Sequence, residues 1–157
     1  MLKKEDFNND TKDAGELGAG HTVTALYEII PAGSEEQIPE IDNLKYQDTK
    51  IKAKAYKTNE IVTVKLRYKE PDGIRSKLIR MTVSDKKLSF QNTSNNFRFS
   101  AAVAQFGMLL RDSEFKGKST YRDVLNLANS SRGRDLFGYR GEFIQLVKIC
   151  KLLTETK

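Results

Sequence analysis

The acidic N-terminal segment carries the side chains that come nearest to a known metal-binding motif. Asp6, Asn8 and Asp10 alternate as the first oxygen ligands of a calcium loop do. That loop also needs glycine at its sixth position and glutamate at its twelfth, which are Thr11 and Leu17 here, so the match fails. We expect no metal, and two interpretations of these residues stay open: hydrogen bonds to their own loop, or a looser calcium site. The residues of that looser site are Asp6, Asn8, Asp10 and Asp13.

Candidates for catalysis or nucleotide binding are few. The glycines at positions 15, 18 and 20 precede a predicted strand, whereas a phosphate-binding glycine loop follows a strand and opens a helix. His21 is the sole histidine and Cys150 the sole cysteine, so a zinc site of the usual kind cannot be assembled. No nucleophile motif accompanies His21, which leaves a hydrolase as the last of the alternatives. We therefore predict that the protein is not an enzyme, with no catalytic residues and no cofactor.

Basic side chains are concentrated after residue 44. Residues 1–44 hold ten acidic and three basic side chains, whereas residues 45–157 hold eleven acidic and twenty-four basic ones. A cationic sheet face would bind anionic lipid head groups, polysaccharide or nucleic acid. Nucleic acid is disfavoured, because an RNA-binding sheet exposes aromatic side chains, whereas the aromatic residues here occupy the inward-facing positions of the strands. The candidate binding residues on this face are Lys50, Lys52, Lys54, Lys65 and Arg67.

Alternation of apolar and polar side chains predicts a β-layer in residues 1–91, preceded by the acidic loop. The sequence Glu70-Pro71-Asp72-Gly73 indicates a tight turn, so the strands on either side of it should form an antiparallel hairpin. We take the run from His21 to Ile30 as the central strand, because it is the longest β-favouring stretch. The predicted strands cover residues 21–30, 49–56, 60–69, 77–84 and, briefly, 88–91.

Helical spacing of apolar residues predicts three helices in residues 92–157, packed on the β-layer. The first follows cap candidates at Thr93 and Ser94, and the second begins from a cap at Ser119. The third covers residues 139–154, and Arg140 and Glu142 at its start are expected to fix the helices on the β-layer. The apolar positions assigned to the core are Phe99, Val103, Phe106 and Leu110 in the first helix, backed by Ala102 and Leu109; Tyr121, Val124, Leu125 and Ala128 in the second; and Phe143, Leu146, Val147, Cys150 and Leu153 in the third, flanked by Ile149 and Leu152.

Strands followed by helices are typical of an α+β protein. We predict an antiparallel β-sandwich or sheet of about five strands and then a three-helix C-terminal bundle. The 157 residues should form one compact unit excised from a longer protein. No run of about 18 apolar residues occurs, so we expect no transmembrane segment.

Several segments resemble one bacterial family across nearly the whole chain. They are residues 5–10, 13–28, 97–104, 106–113, 138–140 and 142–143. Their sequences are similar to the C-terminal domain of unknown function that follows the von Willebrand factor type A domain in bacterial cell-envelope proteins. Many of those proteins are predicted lipoproteins. The Asp-x-Ser-x-Ser signature of a metal-binding type A domain does not occur in this sequence.

The resemblance implies a location and an architecture, but no reaction. It implies a non-catalytic accessory domain that supports protein–protein interaction at the bacterial cell envelope. Its partners would be the neighbouring type A domain of the parent chain and a further protein, and the domain itself would be a monomer. The parent would lie in the periplasm or cell envelope, as a membrane-anchored lipoprotein. The alternative is a binder of an anionic surface or polymer through the lysine-rich sheet face.

Overall fold

The computed structural model describes residues 3–12, 15–30 and 57–155. The chain divides into two compact units, one of Met1–Val23 with Tyr27–Lys87 and one of Thr24–Leu26 with Leu88–Lys157. The first contains a β-hairpin and the second contains three helices, so the fold class is α+β as predicted. Among the described helices, none has both the length and the apolar character needed to cross a membrane.

The first unit is built on the hairpin of β1 (Glu60–Tyr68) and β2 (Lys77–Ser84). The two strands pair antiparallel, and the intervening turn is closed by the Gly73 N–H, which donates to the Glu70 carbonyl over 2.8 Å. A Cβ at position 73 would lie 3.1 Å from the Glu70 backbone, which explains the glycine. The hairpin prediction is confirmed. A short 3-10 helix, Lys4–Asn8, lies in the same unit.

The register of the hairpin separates two faces of different chemistry. Val64 lies opposite Met81 and Leu66 opposite Ile79, so these aliphatic side chains share one face. Thr63 lies opposite Thr82 and Lys65 opposite Arg80 on the other face. Both faces are exposed to solvent in the structure. A two-stranded hairpin is at best marginally stable by itself, so packing of another element on the aliphatic face would stabilise it.

Two of the other predicted strands are wrong, and the expected five-stranded sandwich is not what the described residues form. Residues 21–30 form neither helix nor strand and are exposed throughout, because no strand pairs with this β-favouring run. Residues 88–91 instead lead into a 3-10 turn, Phe90–Asn92, where the Thr93 hydroxyl donates to the Phe90 carbonyl over 2.6 Å. The described sheet has two strands. The predicted strand at 49–56 lies outside the described residues.

The second unit contains α1 (Asn95–Leu110), α2 (Tyr121–Ser130) and α3 (Tyr139–Glu155), which confirms the three predicted helices. Ser94 caps α1 by accepting from the Phe97 N–H over 3.1 Å. The cap of α2 is Thr120 and not Ser119, because Asp123 stands three residues after Thr120 and completes a capping box with it. The Ser119 hydroxyl accepts instead from the Gln105 side chain, 2.7 Å away.

The core of the second unit lies between the three helices. Phe143 packs edge-on against both Phe99 and Phe106, with 5.4 Å between ring centroids in each pair. Position 144, which was not assigned to the core, is buried, whereas Val103, Leu110, Leu146 and Leu153 are exposed. The contact face of α1 runs through Ala102, which was expected only to back the core, rather than through Val103, since a small side chain allows close helix packing. The buried apolar residues are Phe99, Ala102, Phe106, Val124, Ala128, Ile144 and Val147.

Candidate functional site

The acidic N-terminal loop is bonded to the polar face of the hairpin within the first unit. The Arg67 guanidinium donates from Nη1 to Asn8 Oδ1 over 2.8 Å, and its Nη2 lies 3.8 Å from Asp10 Oδ1. The Ser76 hydroxyl donates to the same Asp10 oxygen and accepts from Arg67 Nε over 2.8 Å. Lys69 Nζ donates to the Asp10 carbonyl oxygen over 2.6 Å. The loop and the hairpin are therefore joined by one continuous polar network.

This network accounts for two residues of the looser calcium site, Asn8 and Asp10. The Ser76 hydroxyl bond lowers the pKa of Asp10, and the charges of Arg67 and Lys69 lower it further. Asp6 has a different role, since its Oδ2 accepts from the Lys3 N–H over 3.0 Å at the start of the 3-10 helix. A cation at Asp10 would compete with Arg67 for the same oxygen. Asp13 lies outside the described residues.

The acidic, cysteine and histidine side chains of the described residues form no cluster of three that could hold a metal ion. His21 is exposed, and its backbone N–H donates to the Gly18 carbonyl over 3.0 Å in a turn. A Cβ at position 18 would lie 2.9 Å from His21 Nδ1, so the glycine leaves room for the ring. Within the described part of the chain, no acid or nucleophile is bonded to this ring. Cys150 is a half-buried free thiol.

The predicted cationic binding residues have different environments. Lys65 is exposed opposite Arg80, and neither forms an ion pair with a described residue. Arg67 is occupied by Asn8, Asp10 and Ser76 as above. Another basic residue of the hairpin, Lys77, is likewise occupied, because its Nζ lies 2.5 Å from Glu70 Oε1. Lys50, Lys52 and Lys54 lie outside the described residues. The uncompensated charge on the described hairpin face is thus at Lys65 and Arg80.

In the second unit, a half-buried arginine joins α1, the loop before α3, and α3 itself. Arg140 donates from Nη2 to Asn96 Oδ1 over 2.7 Å and from Nη1 to the Arg132 carbonyl over 2.8 Å. Its guanidinium carbon lies 4.8 Å from the centroid of the Phe99 ring, which is a cation–π distance. We expected Arg140 to bond to the β-layer, but these partners all belong to the helical unit. The arginine therefore fixes the loop onto the helices.

Asp135 is the acidic centre of the same loop. Its side chain is 7% exposed, and its carboxylate accepts from the Gly141 N–H over 2.8 Å and the Arg140 N–H over 3.2 Å. Arg132 Nη2 donates to it over 3.0 Å. Burial raises the pKa of Asp135, but the two backbone N–H groups and Arg132 outweigh burial and hold the pKa below its ordinary value. A carboxylate at the N-terminal end of α3 also interacts favourably with the helix dipole.

Glycine at position 141 leaves room for the Arg132–Asp135 ion pair. A Cβ there would lie 2.8 Å from Arg132 Nη2 and 3.4 Å from Asp135 Oδ2, and would push the two apart. We call the bonded set of Asn96, Arg132, Asp135, Arg140 and Gly141 the α3 network. Sequence reasoning missed Asp135, because a loop has no periodicity that marks which of its side chains turns inward. The available signal was the glycine spacing of the segment, at positions 133, 138 and 141.

The α3 network holds a loop whose apolar side chains point to solvent. Leu136, Phe137 and Tyr139 are 69%, 80% and 71% exposed. The Phe137 and Tyr139 rings lie beside each other with 6.0 Å between centroids, and Gly138 between them takes a positive φ of 76°. We call these three side chains, the last of which belongs to the first residue of α3, the apolar loop. Chemically, it offers a hydrophobic contact surface, which the hydrogen bonds of the α3 network hold in place.

Comparison with known proteins places this fold in a family. The chain matches the family model described as "Uncharacterized protein YfbK, C-terminal" over residues 1–153. It is also 36% identical over 155 residues to the uncharacterized protein YfbK of Escherichia coli (strain K12). That alignment covers 99% of this chain and 26% of the relative, so the chain spans about a quarter of the relative's length. No solved structure matches the chain. The chain therefore belongs to the family of YfbK C-terminal domains.

Proposed function

We propose that this chain is a non-catalytic accessory domain of a von Willebrand factor type A domain protein, and that it supports protein–protein interaction at the bacterial cell envelope. The observation that carries the proposal is the apolar loop on the α3 network. Three large apolar side chains are exposed in a segment that a nearly buried carboxylate and a half-buried arginine hold in place. Aromatic side chains are enriched at protein interfaces, and a few such residues carry most of the binding energy there.

The size of the effect fits a binding anchor. Full burial of one large apolar side chain is worth about 1.5–3 kcal/mol. Covering the exposed part of all three would then contribute roughly 3–6 kcal/mol before the costs of association. Because the α3 network already fixes the backbone of the loop, little conformational entropy remains to be lost when a partner covers it.

We infer that the surface covering the apolar loop is the neighbouring type A domain of the parent chain. Support comes from the size of the matched relative, of which this chain spans about a quarter. The aliphatic face of the hairpin gives the same support, since Val64, Leu66, Ile79 and Met81 are exposed there. A face of that kind would be stabilised by further strands or by another layer from the parent. The parent would be a membrane-anchored lipoprotein of the periplasm or cell envelope.

The non-catalytic part of the proposal has support of its own. In residues 3–12, 15–30 and 57–155, the sole histidine has no acid or nucleophile bonded to its ring, and the shifted carboxylates have structural partners. Asp10 is bonded to Ser76, and Asp135 to the start of α3. A lowered carboxylate pKa with such partners stabilises the fold, whereas a general acid or base needs a pKa near the working pH.

Site-specific photo-crosslinking in the intact parent protein would test this proposal. A photoreactive phenylalanine analogue at position 137 should crosslink to the type A domain. The matched control is the same analogue at position 115, where Phe115 is 77% exposed on the turn between α1 and α2. Mass spectrometry of the crosslinked peptides identifies the partner surface. Equal crosslinking from positions 137 and 115 would count against the proposal.

A second measurement in the same parent protein tests whether the apolar loop stabilises the type A domain or binds the protein partner. Phe137→Ser should lower the melting temperature of the type A domain, or weaken capture of the protein partner about 30-fold, as loss of a 2 kcal/mol anchor does. Phe115→Ser should leave both unchanged. If Phe137→Ser also leaves both unchanged, the apolar loop does not serve as the contact.

A further inference from the structure

The hairpin carries two like charges side by side on its polar face. Lys65 and Arg80 are direct cross-strand neighbours, both exposed, and no described residue forms an ion pair with either. Like charges placed opposite each other across a sheet are destabilising. The next pair along the same face is Thr63 and Thr82, whose hydroxyl oxygens lie 3.5 Å apart. Two cations and two hydroxyls thus form a polar patch to which the described part of the chain contributes no anion.

The chain shows how the neighbouring part of this face holds an acidic peptide segment. Arg67 follows Lys65 on the same side of β1, and it binds the side chains of Asn8 and Asp10. A hydroxyl, that of Ser76, completes the bond to the Asp10 carboxylate, and Lys69 takes the Asp10 backbone carbonyl. Cation, hydroxyl and backbone contacts therefore combine at one end of the face. The cations and hydroxyls are repeated at the other end with no bound carboxylate among the described residues.

We propose that Lys65, Arg80, Thr63 and Thr82 bind the carboxylates of an acidic, extended polypeptide segment from a partner. Along a strand, side chains on the same face recur about every 6.6 Å. An extended peptide with acidic residues at every second position has the same repeat, so its carboxylates can meet the Lys65–Arg80 pair and then the threonine pair. The carboxylate at the Lys65–Arg80 pair relieves the repulsion between the two cations, and the next carboxylate accepts hydrogen bonds from the threonine hydroxyls.

A phosphate polymer is a poorer fit to this patch. Bases of single-stranded nucleic acid bind by stacking on exposed aromatic side chains. On this hairpin the aromatic residue, Tyr68, belongs to the opposite face by strand alternation. The internal occupant of the same face is a peptide carboxylate with its backbone carbonyl, which favours a protein ligand. This site is separate from the apolar loop and does not depend on the proposed accessory role.

Fluorescence anisotropy with the full chain provides the test. The probe is a short synthetic peptide in which glutamate and serine alternate, and its control has glutamine in place of glutamate. The wild-type chain should bind the glutamate peptide in a salt-sensitive manner and bind the glutamine peptide at least about tenfold more weakly. Lys65→Gln with Arg80→Gln should weaken binding at least about tenfold. The matched control, Lys118→Gln with Arg122→Gln, removes the same charge from the helical unit and should change binding less than about twofold.

A second variant keeps the charge and removes the hydroxyls. Thr63→Val with Thr82→Val retains β-branched side chains and the strand pairing, and it should weaken binding about threefold. Circular dichroism of every variant checks the fold. Equal losses in both charge variants, or no preference for the glutamate peptide, would overturn the proposal. It would also fail if inorganic phosphate or phosphatidylglycerol vesicles bound at these residues and the peptide did not.

Discussion

Replacing Arg140 by alanine removes the side chain that joins α1, α3 and the loop between α2 and α3. The guanidinium donates to Asn96 Oδ1 and to the Arg132 carbonyl, and it lies over the Phe99 ring. A hydrogen bond to a charged group contributes about 1.5–3 kcal/mol, and a cation–π contact about 0.5–2 kcal/mol. Water can rebind part of the exposed polar groups, so we expect a net loss of about 2–4 kcal/mol. For a helical unit of this size, that corresponds to a fall in melting temperature of about 10–25 °C.

Urea denaturation followed by far-ultraviolet circular dichroism measures this loss. Arg140→Ala should lower the midpoint without a clear change in slope, because the surface exposed on unfolding stays nearly the same. Arg140→Lys keeps the charge but replaces the planar guanidinium with a single ammonium group, which cannot reach both acceptors. The stability of this variant should therefore be intermediate. Arg134→Ala is the matched control, since Arg134 is an exposed arginine of the same loop, and it should change stability by no more than about 0.5 kcal/mol. If Arg140→Ala proved as stable as Arg134→Ala, the role assigned to the α3 network would be refuted.

Two further predictions concern the loop–hairpin network and the helical core. The folded-state pKa of Asp10 is lowered chiefly by the Ser76 hydroxyl, so its contribution to stability is present above the ordinary aspartate pKa of about 3.9 and is lost as the pH falls through the lower folded value. Urea midpoints between about pH 2 and pH 6 should show this loss in the wild type and a weaker one in Asp10→Asn; identical pH profiles would contradict it. Val147→Ala, at a fully buried position, should cost about 2–3 kcal/mol, whereas Val103→Ala, at an exposed one, should cost less than about 1 kcal/mol. If the two substitutions cost the same free energy of unfolding, Val103 would belong to the core of α1, as expected from the sequence.

Local signals explain which elements could be predicted. The hairpin depends on strict alternation in two runs and on Pro71-Asp72-Gly73 between them, all of which lie within about 25 residues. The helices depend on apolar spacing and on caps a few residues away, such as Ser94. The prediction of a strand at 21–30 was wrong because it used no information about a partner strand. β-propensity measures how well a side chain packs in a sheet, and a run without a partner strand gains nothing from it.

The helix faces show a second limit. In α3 the apolar residues are spread over more than half of the circumference, and Ile144 and Leu146 lie on nearly opposite sides, so spacing cannot decide which of the two faces the core. Packing against α1 and α2 decides it, and Ile144 is the buried one. The α3 network lies beyond sequence reasoning for a similar reason. Asp135 and Arg140 are identified as partners only after the loop has brought the carboxylate to the start of α3.

An aspartate held by basic groups fixes a loop in each unit: Asp10 with Arg67, and Asp135 with Arg132. Ion pairs near a surface add little net stability, because desolvation and lost side-chain freedom offset the attraction. Their clearest physical consequence is therefore position, and the α3 network positions side chains that contribute nothing to the core. Stability and binding should then respond to different residues. Changing Phe137 should alter contact with a partner and leave unfolding of the isolated chain unaffected. Changing Arg140 should alter both, because the α3 network then no longer holds the apolar loop in position.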